Sequence, residues 1–121
     1  MTDRYPADVP GKRIAYFVSP HGFGHAARAA SVMEALAAIE SSLQFDIFTT
    51  VPDWFFAKSH SFGYQYHRLE TDIGLIQKTP FQEDLPATVQ KLKKILPFNQ
   101  SRIAGVAEKI RHLNCKLVIC D

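Results

Sequence analysis

Two histidines separated by three residues sit in the segment Ser19-Pro20-His21-Gly22-Phe23-Gly24-His25-Ala26-Ala27-Arg28, directly after the apolar run Ile14-Ala15-Tyr16-Phe17-Val18. Imidazole titrates near neutrality, so a histidine held here can take a proton from a hydroxyl. A carboxylate on its other ring nitrogen would fix the tautomer and steady the imidazolium that forms. The chain offers one at Asp121, immediately after a second apolar run, Lys116-Leu117-Val118-Ile119-Cys120. In an open α/β sheet, reactive groups collect at the carboxyl ends of the strands near the point where strand order reverses. His21, His25 and Asp121 all fall at that edge if the two runs are neighbouring strands. The positive end of the following helix and Arg28, one turn beyond His25, oppose protonation and predict a neutral base.

Two other readings of the same turn stay open. Gly22 and Gly24 are explained if they only permit a tight strand-to-helix turn, with the histidines solvated on its rim. Gly22-x-Gly24-x-x-Ala27 also fits the loose dinucleotide pattern, in which a pyrophosphate rests on a helix N-terminus. That pattern requires an acidic residue closing the second strand. Here the strand closes Phe48-Thr49-Thr50, with Asp46 in its middle, and Phe23 and His25 add bulk where a pyrophosphate would approach.

The elements that must position these groups follow from hydrophobic patterning. The first strand spans about Arg13 to Val18, and its unbroken apolar character predicts burial on both faces, as in a parallel sheet. A helix from Gly24 to Ile39 places Ala29, Val32 or Met33, Leu36 and Ile39 at helical spacing. Gln44 to Thr50 forms the second strand, and Pro52 opens a short aromatic helix over Asp53-Trp54-Phe55-Phe56-Ala57-Lys58-Ser59. Tyr64 to Leu69 forms the third. A loop from Glu70 to Glu83 leads to a helix opened by Asp84, with Leu85, Val89, Leu92 and Leu96 on one face, and stopped by Pro97. A further helix carries Ile103, Val106, Ile110 and Leu113, and Lys116 to Cys120 is the last strand. Alternating strand and helix predict an α/β, Rossmann-like parallel sheet with helices on both faces. Residues 1–12 are expected to be a flexible lead-in, and residues 13–121 one partial domain.

Composition narrows the classes. The 121 residues are 46% hydrophobic and 21% charged, as a single folded domain requires. The net charge of +2 comes from 14 basic and 12 acidic residues dispersed along the chain, which excludes a nucleic-acid stripe. The N-terminal segment lacks the apolar centre of a signal peptide, and no run is long enough to span a bilayer, so a cytoplasmic protein is expected. Cys115 and Cys120 read as buried thiols in a reducing compartment, with no metal site.

The remaining polar and aromatic residues have structural explanations. His60, His67 and His112 read as loop, strand-face and helix-end residues, and Lys91, Lys93 and Lys94 as a solvated helix face. Trp54, Phe55 and Phe56 read as core rather than as an aromatic sugar platform. Asp72-x-Gly74 is either a turn or a substrate contact.

SPHGFGHAAR, the alanine-rich helix after it and the closing Lys116-Leu117-Val118-Ile119-Cys120-Asp121 resemble the N-terminal, acceptor-side domain of GT-B glycosyltransferases. They are similar also to the glycosyltransferase-like module of L-arabinokinase-type proteins. The likeness extends to Thr49-Thr50-Val51-Pro52 before the aromatic helix and to Asp72-x-Gly74-x-x-Gln77 after the third strand. It covers nearly the whole chain and is most specific in the first turn. The resemblance implies inverting transfer of a sugar from a nucleotide-sugar donor to an acceptor hydroxyl, without another cofactor. It implies that His25 is the base and Asp121 its partner, with His21, Gly22, Phe23, Gly24, Arg28, Asp72 and Gln77 lining the substrate site. GT-B donors are held mainly by a second Rossmann domain, so a truncated domain is expected to be inactive alone and to self-associate through its exposed strand edge. A non-catalytic sugar- or nucleotide-binding module serving a partner such as a sugar kinase is the alternative.

Overall fold

A computed structural model describes residues 12–58, 61–72 and 74–121. Residues 1–11 of the expected lead-in, and His60, lie outside the described residues. The elements run β1 (Arg13–Phe17), α1 (Gly24–Ile39), β2 (Gln44–Thr49), α2 (Asp53–Ala57), β3 (Gly63–Arg68), β4 (Gln77–Thr79), β5 (Gln82–Glu83), α3 (Leu85–Ile95), α4 (Gln100–His112) and β6 (Cys115–Cys120). Four strands form one parallel sheet in the order β3-β2-β1-β6, the α/β arrangement that alternation predicts. The region read as one loop holds an additional antiparallel hairpin, β4-β5.

Strand alternation gives the sheet two different faces. On one, Ile14, Tyr16, Phe45, Ile47 and Tyr64 pack with Ala26, Ala29 and Met33 of α1 and Phe56 of α2 to form the core. Alanines let α1 lie close to the strands: Ala26 and Ala29 are fully buried. Ile39, expected on the same stripe, is 84% exposed. At 100° per residue it lies roughly 120° around the helix from Met33, so it turns away from the sheet.

The other face is crossed by a row of rings. Phe17 stacks on Phe48 at 4.7 Å and Phe48 on His67 at 4.6 Å, each pair being direct cross-strand partners. Lys109 of α4 reaches this face, 5.7 Å from the Phe48 ring centroid, so helices approach the sheet from both sides. Beside the row lies a buried polar cluster. Arg13 donates to both oxygens of Asp46, Nε to Oδ2 at 3.0 Å and Nη2 to Oδ1 at 2.8 Å. His67 Nε2 lies 2.9 Å from Asp46 Oδ1, Arg13 also reaches Gln65, and Cys115 donates to Asp46 Oδ2. The cluster therefore ties all four strands together. Burial pushes the Asp46 carboxyl up, and the bonds from His67 and Arg13 outweigh it and hold the group below its ordinary value. Burial and the Asp46 charge push the Cys115 thiol up to about 12, so it stays protonated.

Asp84 caps α3 by accepting from Ala87 N, and Asn99 caps α4 by accepting from Ser101 N and Arg102 N. Their apolar stripes are less covered than the pattern predicts: Leu85, Val89, Leu92, Leu96 and Ile103 are all exposed. Thr88 is the one buried residue of α3 and none is buried in α4, because neither helix seats its apolar stripe on the sheet. Ile95, Phe98, Ile103, Val106 and Ile110 instead line a cleft of about 540 Å³ between the two helices. No helix among the described residues is long and apolar enough to cross a membrane.

Candidate functional site

The carboxyl ends of β1 and β6 meet where the strand order reverses. Ser19 N donates to the Asp121 carbonyl at 2.8 Å, and Asp121 N donates to the Phe17 carbonyl at 2.9 Å. These two bonds carry the ladder one residue past β6 and place Asp121 beside the β1 turn. On the other flank, Thr49 Oγ1 donates to the Val18 carbonyl and accepts from Val51 N, so the Thr49-Thr50-Val51-Pro52 segment is tied to the same turn. Tyr66 Oη donates to the Val51 carbonyl at 2.7 Å.

Within the turn, Gly22 has φ +65°, a left-handed conformation that strongly favours glycine. Gly24 opens α1, and a Cβ there would meet nothing within 4 Å, so only the first glycine is required by the backbone. The first turn of α1 has no acidic residue and no side-chain cap, which leaves the positive helix end uncompensated locally. Phe23, half exposed, stacks on Phe55 at 5.2 Å and tilts against Trp54 at 5.8 Å. Trp54 is therefore a surface residue, 52% exposed, and only Phe56 of the expected aromatic core is fully buried. Five residues of helix cannot turn all three adjacent rings inward.

His25 Nδ1 lies 3.1 Å from Asp121 Oδ1. Arg28 joins them: Nε donates to Asp121 Oδ2 at 2.8 Å, Nη2 donates to Oδ1 at 2.5 Å, and Nη2 lies 3.2 Å from His25 Nδ1. The hydrogen bonds from Arg28, opposed by burial, hold the Asp121 carboxyl down at about 2. Burial and then the Asp121 charge push the adjacent Tyr16 phenol up, so it stays neutral. Arg28 lies one turn beyond His25 in the sequence, but its fork-like grip on Asp121 is not legible there, since the two residues are 93 positions apart.

His21 has a different partner. Its Nε2 lies 3.4 Å from Asp72 Oδ1, and its ring packs directly on Gly74. The loop after β3 thus folds back onto the β1 turn and brings the Asp72-x-Gly74 motif against the His21-to-His25 turn. Gln77 is exposed in β4, part of the hairpin, with no described hydrogen bond to these residues. Ile76 N donates to Thr88 Oγ1 and Asp84 N to the Ile76 carbonyl, so the loop is also pinned to the start of α3.

Chemically, the edge offers a histidine paired with an ionised carboxylate, a cation on that carboxylate, and a second histidine-carboxylate pair nearby. Among the described residues, no group of three or more His, Cys, Asp or Glu side chains is arranged to hold a metal ion. Set against protein-family models, curated proteins and solved structures, the chain matches none of them.

Proposed function

We propose that this chain is the acceptor-side domain of a nucleotide-sugar-dependent glycosyltransferase of GT-B architecture, acting with inversion. The observation that carries the reading is the 3.1 Å approach of His25 Nδ1 to Asp121 Oδ1 at the carboxyl ends of adjacent strands. With Nδ1–H donated to Asp121, Nε2 holds the lone pair that accepts the acceptor hydroxyl proton. The acceptor oxygen bonds to the anomeric carbon as the bond to the nucleotide diphosphate breaks, and that electron pair leaves with the diphosphate. Asp121 steadies the imidazolium through this step. His21, Asp72 and Phe23 form the wall against which the acceptor lies.

The test needs a longer polypeptide that supplies a donor-binding domain. There, His25→Ala is expected to lower kcat by roughly 10²- to 10⁴-fold with acceptor binding retained, the loss typical of a missing general base. His112→Ala, at the far end of α4, is the control. Undiminished turnover by folded His25→Ala protein overturns the assignment. Sugar or nucleotide binding without turnover in the unmutated protein identifies the non-catalytic module instead.

A further inference from the structure

His25 Nδ1 has two neighbours, Asp121 Oδ1 at 3.1 Å and Arg28 Nη2 at 3.2 Å. In the neutral ring a nitrogen carries either a hydrogen or a lone pair, so Nδ1 either donates to the carboxylate or accepts from the guanidinium. The two contacts demand opposite tautomers. Donation to Asp121 leaves Nε2 with the lone pair that a base requires. Acceptance from Arg28 puts the hydrogen on Nε2, where no further proton is taken without first losing Nδ1 as an acceptor.

Arg28 is well placed to win this competition. Its Nε and Nη2 already engage both oxygens of Asp121, so the carboxylate's charge is compensated before His25 contributes. It is also able to leave. The Arg28 side chain is 64% exposed and that of Asp121 11%, so the guanidinium covers the carboxylate from the solvent side and departs without unpacking the core. Its Nη1 makes no hydrogen bond that the described residues record, which leaves a donor edge for a phosphoryl oxygen, the geometry that arginine matches best.

We propose that Arg28 is a positioning residue that sets the tautomer of His25, holding it as Nε2–H until a phosphoryl group of a ligand draws the guanidinium off Asp121. Nδ1–H then bonds to the carboxylate and Nε2 is bared. The change is a tautomer exchange: one proton leaves Nε2 to water and one arrives at Nδ1 from water, with no change in net charge. The proposal rests on the reading of His25 as a base and adds that the base is assembled only when an anionic substrate is present.

The test is long-range ¹H–¹⁵N spectroscopy of the 121-residue chain with ¹⁵N-labelled histidine at about pH 8, above the ordinary histidine range. The His25 signals are identified by their loss in His25→Ala. Wild-type His25 is expected to be mainly Nε2–H. Arg28→Gln is expected to shift the ratio toward Nδ1–H by roughly tenfold or more, the scale of one charge-assisted hydrogen bond. Arg28→Lys, which keeps the charge but not the fork, is expected to do the same. Inorganic pyrophosphate is expected to move the wild-type ratio in that direction and to leave Arg28→Gln unchanged. UDP and glucose 6-phosphate, titrated separately, tell a nucleotide diphosphate from a phosphorylated sugar. Wild-type His25 already in the Nδ1–H form, or one tautomer common to wild type and both variants, overturns the proposal. Because this readout needs no turnover, a tautomer shift in the 121-residue chain keeps the role of Arg28 even where the longer polypeptide with a donor-binding domain shows no transfer, which removes the glycosyltransfer reading alone; transfer by that polypeptide without a tautomer shift does the opposite.

Discussion

Gly74 lies against the ring of His21 so closely that a Cβ on it would stand 2.5 Å from Nδ1 and 2.7 Å from Cγ. No real Cβ tolerates that approach, so the glycine is what allows the loop after β3 to rest on the β1 turn. Gly74→Ala is expected to push the His21 ring aside and break its approach to Asp72, at a stability cost of about 1–2 kcal/mol, since the ring is partly exposed and able to rotate. Histidine NMR resonances check this. His21 should shift while His67, buried under the sheet face, should not.

Asp46 is expected to be the most costly polar residue to remove. Asp46→Ala leaves Arg13, 6% exposed, without its carboxylate, and breaking a buried pair in this way costs about 3–5 kcal/mol. Removing both partners, as Arg13→Met with Asp46→Leu, is expected to cost much less, because no uncompensated charge stays buried. Urea unfolding of the two variants side by side makes the comparison; equal destabilisation would show that the charge pairing does not dominate.

The Asp121 carboxyl titrates at about 2, below its value in an unfolded chain, chiefly because Arg28 donates to it. A depressed acid stabilises the fold above its unfolded value, and that contribution is lost as pH falls through the folded one. The Asp121 contacts are therefore expected to persist at pH 4 and to be lost as pH falls from there toward 2. In Arg28→Gln the midpoint should rise toward the ordinary carboxylate range. Side-chain ¹³C carboxyl shifts followed against pH measure both midpoints.

β6 is an outer strand of the sheet, and its Leu117 and Val118 are 53% and 46% exposed. An apolar strand edge of this kind is a template for pairing with another chain. The 121-residue polypeptide is expected to self-associate with rising concentration, and Val118→Lys to suppress it. Sedimentation velocity over a range of concentrations decides, and a wild-type monomer throughout would refute the expectation.

Much of this protein was legible in its sequence because the signals are local. Alternating strand and helix patterns predict a parallel α/β sheet, and the usual strand order of such sheets puts the last strand beside the first. Strand limits come within about one residue: Val18, Thr50 and Leu69, read as strand, lie just past β1, β2 and β3. Sheet type and that strand order bring the β1 turn and Asp121 to one sheet edge; that His25 approaches Asp121 while His21 approaches Asp72 is decided by the tertiary structure. Tertiary structure decided the rest, since side-chain partners depend on register and packing that no local pattern encodes. Arg28 meets Asp121 because β1 and β6 pair with a shift between Arg13 and Ile14, and it is this register that brings Cys120 level with Phe17. Nothing local in the sequence pairs Arg13 with Asp46; only their diagonal approach across β1 and β2 turns two desolvation penalties into one satisfied cluster. The apolar stripes of α3 and α4 show the converse: helical periodicity states that a face can be buried, and packing decides whether it is.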